Sequence, residues 1–158
     1  MSLGMADTES DAFDILEEAV EIPSPHGTLA GVLAHPFVGV PGRSALVVGP
    51  HPLMGGRLEN NVVRHVGRGL AEHGFATLRF RFAGTGATSD VMDRFWKTGR
   101  APEDPQRASE AAAAHAWLIT LCGEATILVG YSFGASLLAD LVTPRTRGVV
   151  LIGATLAQ

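Results

Sequence analysis

The fold is decided by a strand, a turn and a helix near the end of the chain, which begin with Ala125-Thr126-Ile127-Leu128-Val129 and continue as Gly130-Tyr131-Ser132-Phe133-Gly134. The first five residues are mostly apolar and lie between turn residues, a pattern typical of a buried strand. Residues 133–142 predict a helix that ends before Pro144. The Gly-x-Ser-x-Gly pattern predicts a tight turn in which side chains at 130 and 134 would collide with backbone, and Ser132 presents its hydroxyl above the sheet.

The rest of the chain alternates apolar strands with helices. Strands are predicted at 13–22, 28–34, 45–48, 75–80 and 148–152, and helices at 62–70, 91–96 and 104–122. The first two strands form a hairpin around the turn Ser24-Pro25-His26-Gly27. This order predicts an α/β three-layer sandwich with a mostly parallel sheet. We expect one domain over residues 13–158, a disordered tail over residues 1–12, and a site beyond the carboxyl ends of the strands.

For two of the helices, the sequence also predicts which face is buried. In the first, Asn60 or Asn61 is the expected N-cap, and the apolar face consists of Val62, Val66 and Leu70. In the longest helix, Asp104 is the expected N-cap and Pro105 occupies the first helical position. Its predicted buried stripe consists of Ala108, Ala111, Ala112, His115, Leu118, Ile119 and Cys122.

The composition of the chain argues against several classes of protein. The 158 residues are 46% hydrophobic and 18% charged with a net charge of −4, which argues against a disordered chain and against a nucleic-acid surface. No apolar run reaches the roughly 18 residues of a spanning helix, and residues 1–10 lack signal-peptide features, so we expect a cytoplasmic protein without membrane contact. The single cysteine, Cys122, cannot form an intrachain disulfide. No cluster has metal-ligand spacing, so we expect no metal and no cofactor.

Two other interpretations compete for the turn at Ser132. A phosphate-binding loop would need the pattern Gly-x-x-x-x-Gly-Lys-Ser/Thr, and no lysine follows Gly130. In the other interpretation, Ser132 only caps the helix in an ordinary strand–helix turn. The flanking strand and helix favour a nucleophilic serine over both, because they supply the structural context that the motif requires.

Three further stretches accompany this turn. Pro50-His51-Pro52-Leu53-Met54-Gly55-Gly56 follows a predicted strand, Asn60-Asn61-Val62-Val63 opens a helix, and Phe80-Arg81-Phe82-Ala83-Gly84-Thr85-Gly86 completes the next strand. Together with residues 130–134 they resemble the α/β-hydrolase superfamily, in its dienelactone-hydrolase-like branch of small bacterial proteins with a His-Pro-His-Pro-x-x-Gly-Gly loop. The resemblance extends over residues 20–153. Ala83 departs from it, since the family often has arginine there.

The resemblance implies roles for the residues of two loops. Ser132 is the implied catalytic nucleophile, and the N–H groups of Phe133 and Leu53 are the implied oxyanion hole. Leu53 has the first free N–H after His51, because proline has none. The residues expected to support the turn and the loop are Gly130, Tyr131, Gly134, His51, Gly55 and Gly56. The implied reaction is the hydrolysis of a small acyl substrate of the ester type.

The usual partners of such a serine are missing from the sequence. In this fold the acid and the histidine follow the serine, but after Ser132 there is one acid, Asp140, and no histidine. The hydrolase domain is therefore expected to be shortened at its C-terminal end and to lack its last strands. Three explanations stay open: a fragment of a longer hydrolase, a non-catalytic remnant, or an enzyme whose base comes from His51 or a second chain.

Two functional hypotheses follow. The first is a serine hydrolase of the carboxylesterase or dienelactone-hydrolase type. The second is a non-catalytic module with the same fold that acts through protein contacts. In both cases the apolar strand at 148–152 would be an edge strand with no neighbour, and such an edge invites pairing. We therefore expect a homodimer or an aggregate that forms through this strand.

Overall fold

The computed structural model describes residues 12–38, 42–83, 89–99, 104–124 and 126–154, and this part of the chain contains one six-stranded sheet. The strands are β1 (Ile15–Ser24), β2 (Gly27–Pro36), β3 (Ser44–Val48), β4 (Ala76–Phe80), β5 (Thr126–Tyr131) and β6 (Gly148–Ile152). The helices are α1 (Asn61–Glu72), α2 (Ser89–Thr98), α3 (Pro105–Cys122) and α4 (Phe133–Leu137), with 3₁₀ turns at Pro52–Met54 and Leu138–Leu141. Of the predicted tail at 1–12, all but residue 12 lies outside the described residues.

The sheet is mostly parallel, as predicted. Its strand order is β1-β2-β4-β3-β5-β6. The hairpin of β1 and β2 is antiparallel and meets β4 antiparallel, whereas β4, β3, β5 and β6 all run parallel. In the centre, Val48 of β3 is in register with Gly130 of β5. The two carboxyl ends therefore meet, and the loop after β3 comes to lie beside the turn at Ser132.

Helices cover both faces of the sheet, which gives the predicted three layers. Alternate residues of a strand point to opposite faces. Leu46 and Leu128 belong to the larger core, which they share with Leu118 of α3. Their neighbours Val47 and Val129 belong to a smaller core on the other face, beneath α1. The short apolar strands are thus buried on both sides, as parallel strands require.

The buried face of α1 differs from the predicted one by one position. The buried residues are Val63, Gly67 and Ala71, while Val62 is only partly buried. Small residues face the strand because the helix lies close to it, and a Cβ at Gly67 would be 3.8 Å from Thr77 Cγ2. The larger Val66 and Leu70 pack at the side of the same core. Of the two residues predicted as the possible N-cap, Asn60 is the one that caps α1. Its side chain accepts hydrogen bonds from the N–H groups of Val62 and Val63.

The buried face of α3 contains charges that the hydropathy pattern did not predict. Arg107 and Glu110 are both buried. Ala112, which was expected inside, is exposed, and Ala114 is buried in its place. A buried charge is strongly unfavourable without a partner, and these two side chains pair with each other at 2.8 Å.

The remaining helices follow the prediction in position but not in form. The short helix expected at 91–96 is part of α2. The helix expected over 133–142 is α-helical only to Leu137 and then tightens into a 3₁₀ turn that ends at Leu141. Among the helices of the described residues, none combines the length and the apolar character needed to cross a membrane.

Candidate active site

The backbone at Ser132 is strained. With φ of 55° and ψ of −120°, Ser132 is the one non-glycine residue of the described chain with a positive φ. Such a conformation costs on the order of 1–3 kcal/mol and persists only when the surroundings hold it. Here Ser132 N–H donates to Ile152 O at 2.9 Å, and Ala135 N–H donates to Ser132 O at 3.0 Å. Both sides of the turn are therefore fixed by backbone hydrogen bonds.

The turn requires glycine at both positions that the sequence pattern gives. A Cβ at Gly130 would lie 2.7 Å from Ala135 N, and a Cβ at Gly134 would lie 2.6 Å from Gly49 O. The second contact shows how closely α4 approaches the end of β3. Tyr131 ends β5 beside β6, where its ring packs against the smaller core.

The hydroxyl of Ser132 does not cap α4, so the simple capping interpretation does not hold. The side chain is partly exposed and forms no hydrogen bond with any described residue. The N–H of Phe133, the first residue of α4, also finds no acceptor among the described residues. A nucleophile and an unoccupied donor thus lie side by side at the carboxyl end of β5.

The loop after β3 is a compact turn built on His51. Its carbonyl accepts Met54 N–H at 2.8 Å and Gly56 N–H at 3.2 Å. Gly55 has φ of 83°, and a Cβ at Gly56 would lie 2.9 Å from His51 O. Asn60 closes the loop, because its side chain donates to Gly55 O at 3.2 Å. The two glycines are therefore required by the turn itself.

The ring of His51 is buried and uses both of its nitrogens. Nε2 lies 3.0 Å from Asp104 Oδ2, and Nδ1 accepts Leu53 N–H at 3.2 Å. The ring also packs edge-on against Phe133, with 5.0 Å between centroids. Leu53 is the first residue after His51 that has an N–H, as the sequence indicates, but the ring of His51 occupies this donor.

Asp104 does not act as the side-chain cap that the sequence suggested. It stands at the N-cap position of α3, but its carboxylate makes no capping hydrogen bond. It binds His51 Nε2 and accepts Arg107 Nε–H at 3.0 Å. Burial opposes ionisation of Asp104, yet the hydrogen bonds from His51 and Arg107 outweigh it and lower the pKa of the carboxyl below its ordinary value.

Arg107 and Glu110 extend this contact into the core. Arg107 donates to Glu110 Oε2 at 2.8 Å and also to the carbonyl of Ala83. Glu110, which is fully buried, accepts Ala83 N–H at 3.1 Å. Ala83, which follows β4, is thus bonded to α3 through both its N–H and its carbonyl. The sequence held one signal for this arrangement: positions 107 and 110 share the helical spacing of the buried positions 111, 114 and 118.

No described histidine or acid is bonded to the hydroxyl of Ser132. His115 lies between α3 and β5, with Nε2 at 3.2 Å from Thr126 Oγ1, and burial lowers its pKa. His26, His65 and His73 are exposed, and Asp140 is exposed on the 3₁₀ turn after α4. Within the same described ranges, no group of three or more His, Cys, Asp or Glu side chains could hold a metal ion.

Comparisons with known proteins bear on the fold rather than on the geometry of the site. No family model matches the sequence. An uncharacterised protein of Rickettsia prowazekii is 31% identical over 103 residues, which are 64% of this chain and 40% of that protein.

Two solved structures share the fold at 27% identity. One, an α/β hydrolase of unknown function from Agrobacterium tumefaciens, has a TM-score of 0.69 over 87% of this chain and 61% of its own. The other, an α/β serine hydrolase without a lid from Xanthomonas campestris, has a TM-score of 0.58 over 80% of this chain and 55% of its own. The chain therefore spans less than two-thirds of the length of each of these proteins. With its sheet order and the turn at Ser132, it belongs to the α/β-hydrolase superfamily.

Proposed function

We propose that this chain carries the nucleophile of a serine hydrolase of the carboxylesterase or dienelactone-hydrolase type. The observation that carries the proposal is the positive φ of Ser132 in a strand–helix turn that only glycine neighbours allow. An ordinary helix cap needs no such strain, whereas strained residues cluster at functional sites. The similar protein of Xanthomonas campestris, described as a serine hydrolase, supports the same assignment.

In the proposed reaction, Ser132 Oγ attacks the carbonyl carbon of a small ester-like substrate. The new C–O bond forms as the carbonyl oxygen takes up negative charge, and the serine proton passes to a base. The oxyanion then reforms the carbonyl, and the alcohol leaves with a proton. Water hydrolyses the acyl-serine that remains. The unoccupied N–H of Phe133 faces this oxyanion at the start of α4.

Leu53 is the proposed second donor to the oxyanion. Its N–H donates to His51 Nδ1 at 3.2 Å. A charged oxygen is a stronger acceptor than a neutral ring nitrogen. We therefore propose that the N–H of Leu53 turns from the ring to the oxyanion as negative charge develops.

His51 is not the proposed base. Its two nitrogens already bind Asp104 and Leu53, and it makes no hydrogen bond to Ser132. None of the other histidines of the chain is bonded to Ser132 either. The proposal therefore assigns the base and its acid partner to polypeptide outside these 158 residues, whether in a longer chain or in a partner.

The branch and the compartment are proposals as well. The dienelactone-hydrolase-like branch rests on the loop around His51, whose compact turn requires both Gly55 and Gly56. Cys122 is a free thiol. A free thiol is compatible with a reducing compartment, and we propose the cytoplasm.

A fluorophosphonate probe tests the nucleophile. In the presence of the polypeptide that supplies the base, we expect covalent labelling of the wild-type chain, no labelling of Ser132→Ala, and undiminished labelling of Ser136→Ala. Ser136 is a matched control, because it lies one turn further along α4 and its hydroxyl binds only Phe133 O. A folded wild-type chain that resists the probe, in the presence of a longer or complementary chain as well as alone, would contradict the proposal.

A second candidate function is favoured by the outer strand of the sheet. Val149, Val150 and Leu151 are 45%, 45% and 53% exposed, and no described segment pairs with the far side of β6. We propose a non-catalytic contact between two copies of the chain through β6, since an unpaired apolar strand is a template for pairing.

Sedimentation tests this contact. We expect a dimer for the wild type and a monomer for Val150→Lys, which places a charge on the edge. Val142→Lys is the control, because Val142 is equally exposed at 50% but lies outside the strand, and we expect it to leave the dimer intact. A wild-type chain that sediments as a monodisperse monomer would contradict the proposed contact through β6.

A further inference from the structure

We propose that Asp104 and Arg107 are positioning residues that fix, through the ring of His51, the loop facing Ser132. The proposal rests on the proposed function, because it gives that loop a role in the reaction. Neither residue belongs to the turn at Ser132 or to the loop after β3. Asp104 is separated from His51 by 53 residues and reaches it from the start of α3.

Asp104 determines which nitrogen of His51 carries the proton. An ionised carboxylate can only accept hydrogen bonds, so the nitrogen that faces it, Nε2, is the one that donates. In the neutral ring the other nitrogen, Nδ1, then has a lone pair to accept Leu53 N–H. With the proton on Nδ1 instead, two N–H groups would face each other. The carboxylate of Asp104 therefore orients the amide of Leu53 through the ring.

Arg107 holds the carboxylate of Asp104 in the position that this requires. Its Nε donates to Asp104 Oδ2 at 3.0 Å, the same oxygen that His51 contacts. Arg107 is itself fixed, because it also binds the carboxylate of Glu110 and the carbonyl of Ala83. The loops after β3 and β4 are thus tied to the first two turns of α3 by one connected set of charges.

The same ring contacts both residues that supply the proposed oxyanion donors. One edge of His51 binds the Leu53 amide, and its ring packs at 85° against Phe133, the residue whose N–H completes the pair. A shift of the ring would therefore disturb both donors together. Misplacement by about 1 Å can reduce the rate of a reaction roughly 100-fold even when the reacting groups are intact.

Nitrogen-15 NMR of the histidine rings and exchange of the Leu53 amide test the positioning directly in the full chain. In the wild type we expect the His51 proton on Nε2 and a protected Leu53 amide. In Asp104→Ala we expect the tautomer preference to be lost and the amide to exchange faster. Asp104→Asn keeps an acceptor oxygen and should restore part of both. Unchanged His51 and Leu53 signals in a folded Asp104→Ala would overturn the proposal.

The rate of fluorophosphonate labelling measures the consequence for Ser132. We expect a roughly 10- to 100-fold slower reaction in Asp104→Ala with little change in the initial binding of the probe, and partial rescue in Asp104→Asn. Glu124→Gln is the control, because that carboxylate pairs with Arg145 on the surface. A wild-type rate in Asp104→Ala despite altered ring signals would also overturn the role. A wild type that does not label even when the polypeptide that supplies the base is present refutes the proposed function instead, and the NMR measurement still decides whether Asp104 holds the loop.

Discussion

The central strand β3 and the outer strand β6 are built from nearly the same residues but are held in opposite ways. The apolar residues of β3 are Ala45-Leu46-Val47-Val48, and those of β6 are Val149-Val150-Leu151-Ile152. Every residue of β3 is buried, whereas three residues of β6 are 45–53% exposed. The difference comes from the neighbours, because β3 lies between two strands and two helix layers while β6 ends the sheet.

Because of this difference, substitutions in the two regions are expected to change stability by different amounts. At the carboxyl ends of β3 and β5, close glycine contacts fix the turn at Ser132, and a connected set of charges on α3 holds the loop after β3, so small changes are expected to be costly. Around β6 the side chains have room on both faces, so the same changes are expected to be mild. Four predictions test this contrast, in order of decreasing effect.

The largest effect is expected from Arg107→Met. The change leaves the fully buried carboxylate of Glu110 without its cation and should lower the free energy of unfolding by about 3–5 kcal/mol. The matched change near β6 is Arg145→Met, since Arg145 pairs with Glu124 on the exposed surface. It should cost less than about 1 kcal/mol. Urea unfolding of both variants measures the difference, and equal losses would contradict the contrast.

A smaller loss is expected from Gly134→Ala. The added methyl group would meet Gly49 O at 2.6 Å and push α4 away from β3, at a cost of about 1–3 kcal/mol. In β6, Gly148→Ala meets nothing within 4 Å and should change the stability by no more than about 0.5 kcal/mol. Thermal unfolding compares the two. A wild-type melting temperature for Gly134→Ala would show that the approach of α4 to β3 is looser than described.

Unlike the two preceding changes, Ser132→Gly is expected to stabilise the fold. Glycine tolerates the positive φ at this position, so the change should raise the free energy of unfolding by about 1 kcal/mol. Ser136→Gly, in the regular part of α4, should lower it by about 0.5–1 kcal/mol because glycine is unfavourable within a helix. Chemical denaturation of the pair measures the two signs. A destabilised Ser132→Gly would argue that the serine is not strained.

The smallest effect is a pH dependence at the other end of β5. Burial lowers the pKa of His115, so the unfolded chain takes up a proton near the ordinary value of 6.5 while the folded chain does so only at lower pH. Stability should therefore fall as the pH drops below 6.5. His115→Gln should flatten this loss when urea midpoints are compared between about pH 7.5 and about pH 5.5.

The carboxyl groups of Asp104 and Glu17 also have altered pKa values, but both are lowered from ordinary values of 3.8 and 4.5. Their contribution to stability is present above those values and is lost only in more acidic solution. Between neutral pH and about pH 5.5, the difference between the wild type and His115→Gln therefore measures the contribution of His115. A wild type and a His115→Gln variant with identical pH profiles in that window would contradict the assignment.

The features that the sequence predicted are those with local causes. The strands of the sheet follow from short apolar runs, and the turn at Ser132 follows from glycines that no other residue could replace. The cap at Asn60 is equally local, because its side chain binds the next two amides. Each of these depends on residues within a few positions of one another.

The features that the sequence did not predict depend on distant partners. Asp104 looked like a helix cap, but its carboxylate binds a histidine 53 residues away. Arg107 and Glu110 are not part of the predicted buried stripe of α3, yet they pair with each other inside the core. In α1, hydropathy selected the large side chains, although the small Gly67 and Ala71 are the ones that face the sheet. Helical spacing groups positions 107 and 110 with the buried positions of α3, but it does not show which side chains pair with each other.

Mapping the site of modification tests the central claim most directly. The chain should be treated with a fluorophosphonate, digested, and analysed by mass spectrometry to locate the adduct. The account predicts one phosphonate on the peptide that contains Ser132, at Ser132 itself and not at Ser136. An adduct at another residue, or none in a folded chain supplied with a complementary histidine-bearing segment, would contradict it.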